Sequence, residues 1–82
     1  QAQTLRVGLI GCRGMGWNNL KSFLKNKDVS VSAICDIDEN VIANRMKELG
    51  EMGLTAKTYK DYRRLLDDRD VDVVIIATPD HW

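Results

Sequence analysis

An α/β fold built on a doubly wound parallel sheet is what the sequence predicts, and three observations predict it. Short, continuously apolar runs alternate with amphipathic stretches along the 82 residues, the pattern of β-α-β units. The first apolar run, RVGLIG, leads into a cluster of glycines. The last, VVIIA, is apolar on both faces, as a parallel strand covered from two sides must be.

Val7 to Ile10 form the first strand, and Gly11 to Gly16 turn the chain. A helix follows from Met15 or Gly16 to about Lys25; Leu20, Phe23 and Leu24, recurring at three and four, predict its apolar face. Val29 to Cys35, VSVSAIC, mixes β-branched and small residues and predicts a second strand, which Asp36 ends. Asp38 can cap a second helix, with Glu39 favourable beside the positive end of its dipole and Val41, Ile42, Met46 and Leu49 as its buried stripe. Gly50 or Gly53 stops it. A short third strand around Ala56 to Thr58 leads to a helix from Asp61 to about Leu66, with Tyr62, Leu65 and Leu66 facing inward. Val73 to Ala77 is the fourth strand, and Pro79 ends it. Right-handed crossovers then favour the strand order 3-2-1-4.

Twelve basic and 12 acidic residues give zero formal net charge, so no long-range field draws this chain to nucleic acid or an anionic membrane. No apolar run approaches the length of a bilayer span. Cys12 and Cys35 have neither the spacing nor the histidine neighbours of a zinc or dithiol site, so small buried side chains and no metal are expected. The opening residues QAQT carry neither an initiator Met nor a charged-then-apolar leader, which suggests a processed or trimmed chain and leaves its compartment open. The predicted order makes Val73 to Ala77 an exposed sheet edge, which folded proteins avoid. Residues 1–82 are therefore expected to be the N-terminal part of a nucleotide-binding domain, with further strands beyond Trp82.

The glycine cluster GCRGMG carries the chemistry. A dinucleotide loop needs one glycine for the turn off the strand, a second for close backbone approach to the pyrophosphate, and a third for packing helix on strand. Gly11 and Gly16 fit the first and third; Arg13 stands at the second, with Gly14 one position late. Cys12 and Met15 complete the loop, which opens a helix whose dipole favours a phosphate. Asp36, 20 residues after Gly16 at the end of the second strand, is where a ribose would be gripped. Its carboxylate would accept from both ribose hydroxyls and repel a 2′-phosphate, favouring NAD over NADP. Arg13 either points away from the pyrophosphate, with Gly14 supplying flexibility, or reaches toward it and adds a charge.

In a sheet of order 3-2-1-4 the ligand lies at the carboxyl ends of strands one and four, so ATPDHW faces the glycine loop across the crevice. Ala77, Thr78, Pro79 and His81 are expected to line the nicotinamide half. Trp17 and Trp82 are candidates for stacking on a substrate sugar or for packing beneath loops. His81, the only histidine, could titrate near neutrality and is a candidate for cofactor or substrate contact, with an acid–base role as the alternative.

RVGLIGCRGMGW, CDID and TYKDYRRLLDDRDVDVVIIATPDHW together resemble the N-terminal Rossmann-like domain of the Gfo/Idh/MocA oxidoreductases, across essentially the whole chain. The resemblance implies NAD(P)-dependent hydride transfer to or from sugars, polyols and their derivatives. It also implies a second α/β domain that supplies substrate contacts and a homo-oligomer interface, and a catalytic lysine after the next strand, downstream of Trp82. Position by position it places Gly11 to Gly16 around the pyrophosphate, Asp36, Ile37 and Asp38 at the adenosine end, and Ala77 to His81 beside the nicotinamide ribose. Arg13 departs from the usual glycine and resembles a subgroup, some of it exported, in which a basic residue precedes Gly-Met-Gly. Two other outcomes remain open: glycoside hydrolysis by transient oxidation with NAD recycled, and a nucleotide sensor lacking the catalytic lysine. A domain of this shape that binds no dinucleotide because Arg13 fills the loop is the third.

Overall fold

The computed structural model describes residues 4–77. Its elements are β1 (Leu5–Ile10), α1 (Gly14–Leu24), β2 (Val29–Cys35), α2 (Glu39–Glu51), β3 (Lys57–Tyr59), α3 (Tyr62–Leu66) and β4 (Val73–Ile76). The four strands pair in parallel in the order β3-β2-β1-β4, as the sequence predicts. Pro79, expected to end the last strand, lies outside the described residues, as do Thr78, His81 and Trp82.

One face of the sheet carries α1 and α2. Val7 and Leu9 of β1 and Val31 and Ile34 of β2 join Trp17, Leu20 and Leu49 in the main core. The opposite face is thinner: Ala33, Cys35 and Leu65 are buried there, with Ile10, Tyr59, Val71 and Val74 packed around them. Val31 and Ile34 are an odd number of residues apart and would face opposite sides of a regular strand. They share a face because the register with β1 slips: Val7 pairs with Val31 and Gly8 with Ala33, leaving Ser32 without a β1 partner. The extra residue rephases β2 so that its last residues, and hence Asp36, leave the strand in the observed direction.

The expected N-cap at Asp38 forms, and Asp61, expected as the first residue of its helix, is the N-cap of α3. Asp38 accepts from the amides of Asn40 and Val41, and Asp61 from Arg63. Of the two glycines expected to stop α2, Gly50 lies within the helix and Gly53, at φ +77°, follows its end. Two inward-facing expectations are corrected. Phe23 is half exposed, because the buried stripe of α1 runs through Gly16, Trp17 and Leu20. Tyr62 and Leu66 are also half exposed: α3 has 5 residues, little more than one turn, and directs only Leu65 at the sheet. On β4, Ile76 is 65% exposed, consistent with an edge strand.

A charged clasp ties the amino ends of the strands to the segment before β4. Lys57 lies 2.7 Å from Asp68 and 2.9 Å from Asp70, and the Tyr59 hydroxyl donates to Asp68 at 2.7 Å. Arg6 pairs with Asp72 at 3.1 Å and Asp70 at 3.4 Å. The Asp68 side chain is 5% exposed, and the hydrogen bond from Lys57, aided by the Asp70 amide and Tyr59, pulls its carboxyl down to about 2. A carboxyl held below its unfolded value stabilises the fold above the ordinary carboxylate range and loses that contribution as pH falls toward the folded value. Asp68→Asn in the full-length protein should therefore narrow its stability deficit as pH drops from about 5 to about 2. Urea unfolding across that range checks this; a deficit that stays constant would contradict the assignment.

Candidate cofactor-binding site

A groove of about 950 Å³ opens at the carboxyl end of the sheet. The glycine loop, the turn after β2, Lys60, Tyr62 and Ala77 line it. Its position follows from topology: α1 and α2 return on one face and the chain then crosses to the other side of β1, so the segments leaving β1 and β4 diverge and open a crevice.

The loop is shaped by three glycines with different tasks. Gly11 has φ +87°, and a Cβ there would sit 2.0 Å from the Ala77 carbonyl oxygen. A Cβ on Gly16 would sit 2.4 Å from the Ala77 Cβ and 2.6 Å from the Gly11 oxygen. These contacts let α1 begin directly against the ends of β1 and β4. Gly14 has φ +48° with open space around it, so it answers a backbone requirement rather than a steric one. Arg13 is extended, at φ −99° and ψ 154°, a conformation any residue adopts. The left-handed turn has moved one position along, which is why an arginine fits where the usual spacing has glycine.

Arg13 is the N-cap of α1, and its side chain makes no cap hydrogen bond; the first turn holds no acidic residue. Gly16, in the first turn of α1, donates its amide to the Arg13 carbonyl at 3.1 Å; the Gly14 and Met15 amides ahead of it have no carbonyl one turn behind them, and they border the groove with the positive end of the helix dipole. The Arg13 side chain instead reaches across the mouth and pairs with Asp38 at 2.5 Å. The Asn40 amide, with Val41 and Arg13, holds the Asp38 carboxyl below its ordinary value. A second ion pair, Lys60 with Glu39, spans the same end.

Asp36 stands at the centre. One carboxylate oxygen accepts the Cys12 amide at 3.0 Å and the other the Asp38 amide at 2.9 Å. The side chain thus fastens the glycine loop to the β2–α2 turn, and each oxygen retains capacity for a further donor. Ile37, beside it, is 88% exposed. Both cysteines are buried, as expected. The Cys12 thiol donates to the Cys35 carbonyl at 3.4 Å, and burial, reinforced by Asp36, pushes it up to about 12, so it stays protonated and inert.

Of the residues expected at the site, the groove gathers Gly11, Arg13, Gly14, Met15, Gly16, Asp36, Ile37, Asp38 and Ala77. Cys12 faces the core, with only its backbone in the loop. Trp17 is corrected as a substrate candidate: it is 2% exposed, packed into the core, and its indole N–H donates to Glu48 at 2.8 Å. Its place on the buried stripe of α1 aims it at α2 rather than at the crevice. Lys60 and Tyr62 were missed by the sequence reading. The signal was available, since in an all-parallel sheet the residues following the third strand emerge at the same edge as those following the first and second.

Fold and site together define a dinucleotide-binding domain of the Rossmann type. The chain belongs to the Gfo/Idh/MocA oxidoreductase family, NAD-binding Rossmann fold, whose pattern matches residues 5–82. It is 39% identical to a glycosyl hydrolase family 109 protein of Shewanella sp. (strain ANA-3), over 95% of this chain and 18% of that protein. It is 38% identical to an inositol 2-dehydrogenase/D-chiro-inositol 3-dehydrogenase of Lactiplantibacillus plantarum, over 92% of this chain and 21% of that protein. Among solved structures, myo-inositol dehydrogenase of Lactobacillus casei in complex with NAD(H) and myo-inositol superposes with a TM-score of 0.81 at 28% identity, covering 93% of this chain and 22% of the other. The chain thus spans about a fifth of the length of the curated relatives it matches.

The glycine geometry makes a quantitative distinction. Gly11→Ala should cost about 2–4 kcal/mol, combining an unfavourable φ with a clash against backbone. Gly14→Ala, strained in φ but unobstructed, should cost about 1 kcal/mol. Denaturant unfolding of both variants in the full-length protein checks this, and equal costs would contradict the close approach to Ala77.

Proposed function

We propose that the protein to which this chain belongs moves hydride reversibly between NAD and a hydroxyl-bearing carbon of a sugar, polyol or related compound. The observation that carries this reading is the convergence, in one groove, of an uncapped helix N-terminus, a backbone-anchored aspartate and the end of β4. The amides at the start of α1 would hold the pyrophosphate, with Gly11 and Gly16 permitting the approach. Asp36 would take the adenosine ribose hydroxyls on its remaining lone pairs and repel a 2′-phosphate, so NAD is preferred to NADP. Ile37 and Asp38 would flank the adenosine end. Ala77, together with Thr78, Pro79 and His81 outside the described residues, would border the nicotinamide ribose. The hydride chemistry itself is the cofactor's.

The catalytic group, the substrate contacts and a homo-oligomer interface fall to parts of the protein outside this chain. The inositol dehydrogenase relatives support a polyol or sugar substrate. The second reading, NAD-dependent glycoside hydrolysis through transient oxidation, is favoured by one observation: the family 109 relative matches as strongly, at 39% identity over 95% of the chain.

One experiment separates them: the full-length protein is incubated with NAD and panels of polyols and chromogenic glycosides, following both nicotinamide absorbance and released aglycone. Stoichiometric NADH with a polyol or free sugar is the expected result. Aglycone release with NAD but no net NADH would select hydrolysis, and neither signal across a broad panel would count against catalysis on sugars.

A further inference from the structure

Arg45 lies on α2, away from every residue that the sequence marks for chemistry, yet its side chain is directed back at the glycine loop. Its Nε donates to the Cys12 carbonyl at 2.8 Å. Its Nη1 pairs with Glu48 at 2.8 Å, and its guanidinium lies over the Trp17 ring, 5.0 Å from the centroid. Trp17 in turn donates its indole N–H to Glu48 at 2.8 Å. Arg45, Glu48 and Trp17 therefore form a closed triangle in which each member touches the other two. Only one of them, Arg45, reaches the loop.

The other side of Cys12 is held as well, its amide by Asp36 at 3.0 Å. Two successive peptide groups are thus oriented from opposite neighbours: Gly11–Cys12 through its N–H, and Cys12–Arg13 through its C=O. No cis peptide occurs among the described residues, and a trans peptide directs its C=O and N–H in opposite directions. With the Cys12 carbonyl drawn to Arg45, the Arg13 N–H faces away from α2, on the side where Gly11, Arg13 and Gly14 line the groove.

We propose that Arg45 is a positioning residue for the cofactor: held by Trp17 and Glu48, it fixes the Cys12–Arg13 peptide so that the Arg13 amide is presented to the pyrophosphate. This rests on the groove being the dinucleotide site. An amide already oriented binds without the entropic cost of ordering the loop. Guanidinium geometry matters here, because one planar group must serve the carbonyl, the carboxylate and the ring at once.

The test uses the full-length protein and three ligands: NAD, ADP and adenosine. Arg45→Met should weaken NAD and ADP about tenfold in calorimetric titration and leave adenosine, measured by NMR titration, unchanged, since adenosine lacks the pyrophosphate. Arg45→Lys should recover little of the loss. Met46→Ala, a neighbouring half-buried position, should lower thermal stability while leaving all three affinities intact. Glu48→Gln, which weakens the grip on Arg45, should shift NAD and ADP in the same direction by a smaller factor, and it serves if Arg45→Met does not fold. Unchanged NAD and ADP affinities, or an equal loss for adenosine, would overturn the positioning role. A wild-type protein that binds neither NAD nor ADP would overturn the functional reading itself, and this inference with it.

Discussion

The hydrogen bond from the Cys12 amide to Asp36 is the contact on which the site depends. It joins two segments that no secondary structure connects, the turn after β1 and the turn after β2. The second oxygen of the same carboxylate takes the Asp38 amide, so one side chain sets both the loop and the entry to α2. The group that braces the loop is also a carboxylate on the groove wall. In the proposed function, the lone pairs left over after the two amides are satisfied are those a ribose would use.

Around this contact the loop is held at close quarters. Gly11 and Gly16 bring α1 within van der Waals limits of Ala77, and Arg45 steadies the loop from α2. Of the two orientations left open for Arg13, the observed one is directed away from the head of α1, its charge crossing the mouth to Asp38. That pairing keeps the cation away from the start of α1 and leaves the helix amides to face the groove.

Most of the architecture was legible in the sequence because it depends on local pattern: apolar runs, the Asp38 cap and the handedness of crossovers, the last of which predicted the strand order. The site was legible where one residue type has a backbone or charge requirement, as at Gly11, Gly16 and Asp36. The missing parts depend on tertiary geometry. The slip at Ser32 that lets Val31 and Ile34 share a face cannot be read from alternation alone. Trp17 looked available to substrate because it follows the loop, but helix phase buries it. Nothing local in the sequence marks Arg45, whose Nε ends on a carbonyl 33 positions earlier.

The central claim is that Asp36, fixed by two amides, makes this groove a site for a nucleotide whose adenosine ribose is unphosphorylated. Calorimetric titration of the full-length protein with NADH and NADPH tests it most directly. The account predicts that NADH binds tighter by about tenfold or more, a difference of at least about 1.4 kcal/mol; NADPH binding equally or more tightly would contradict it.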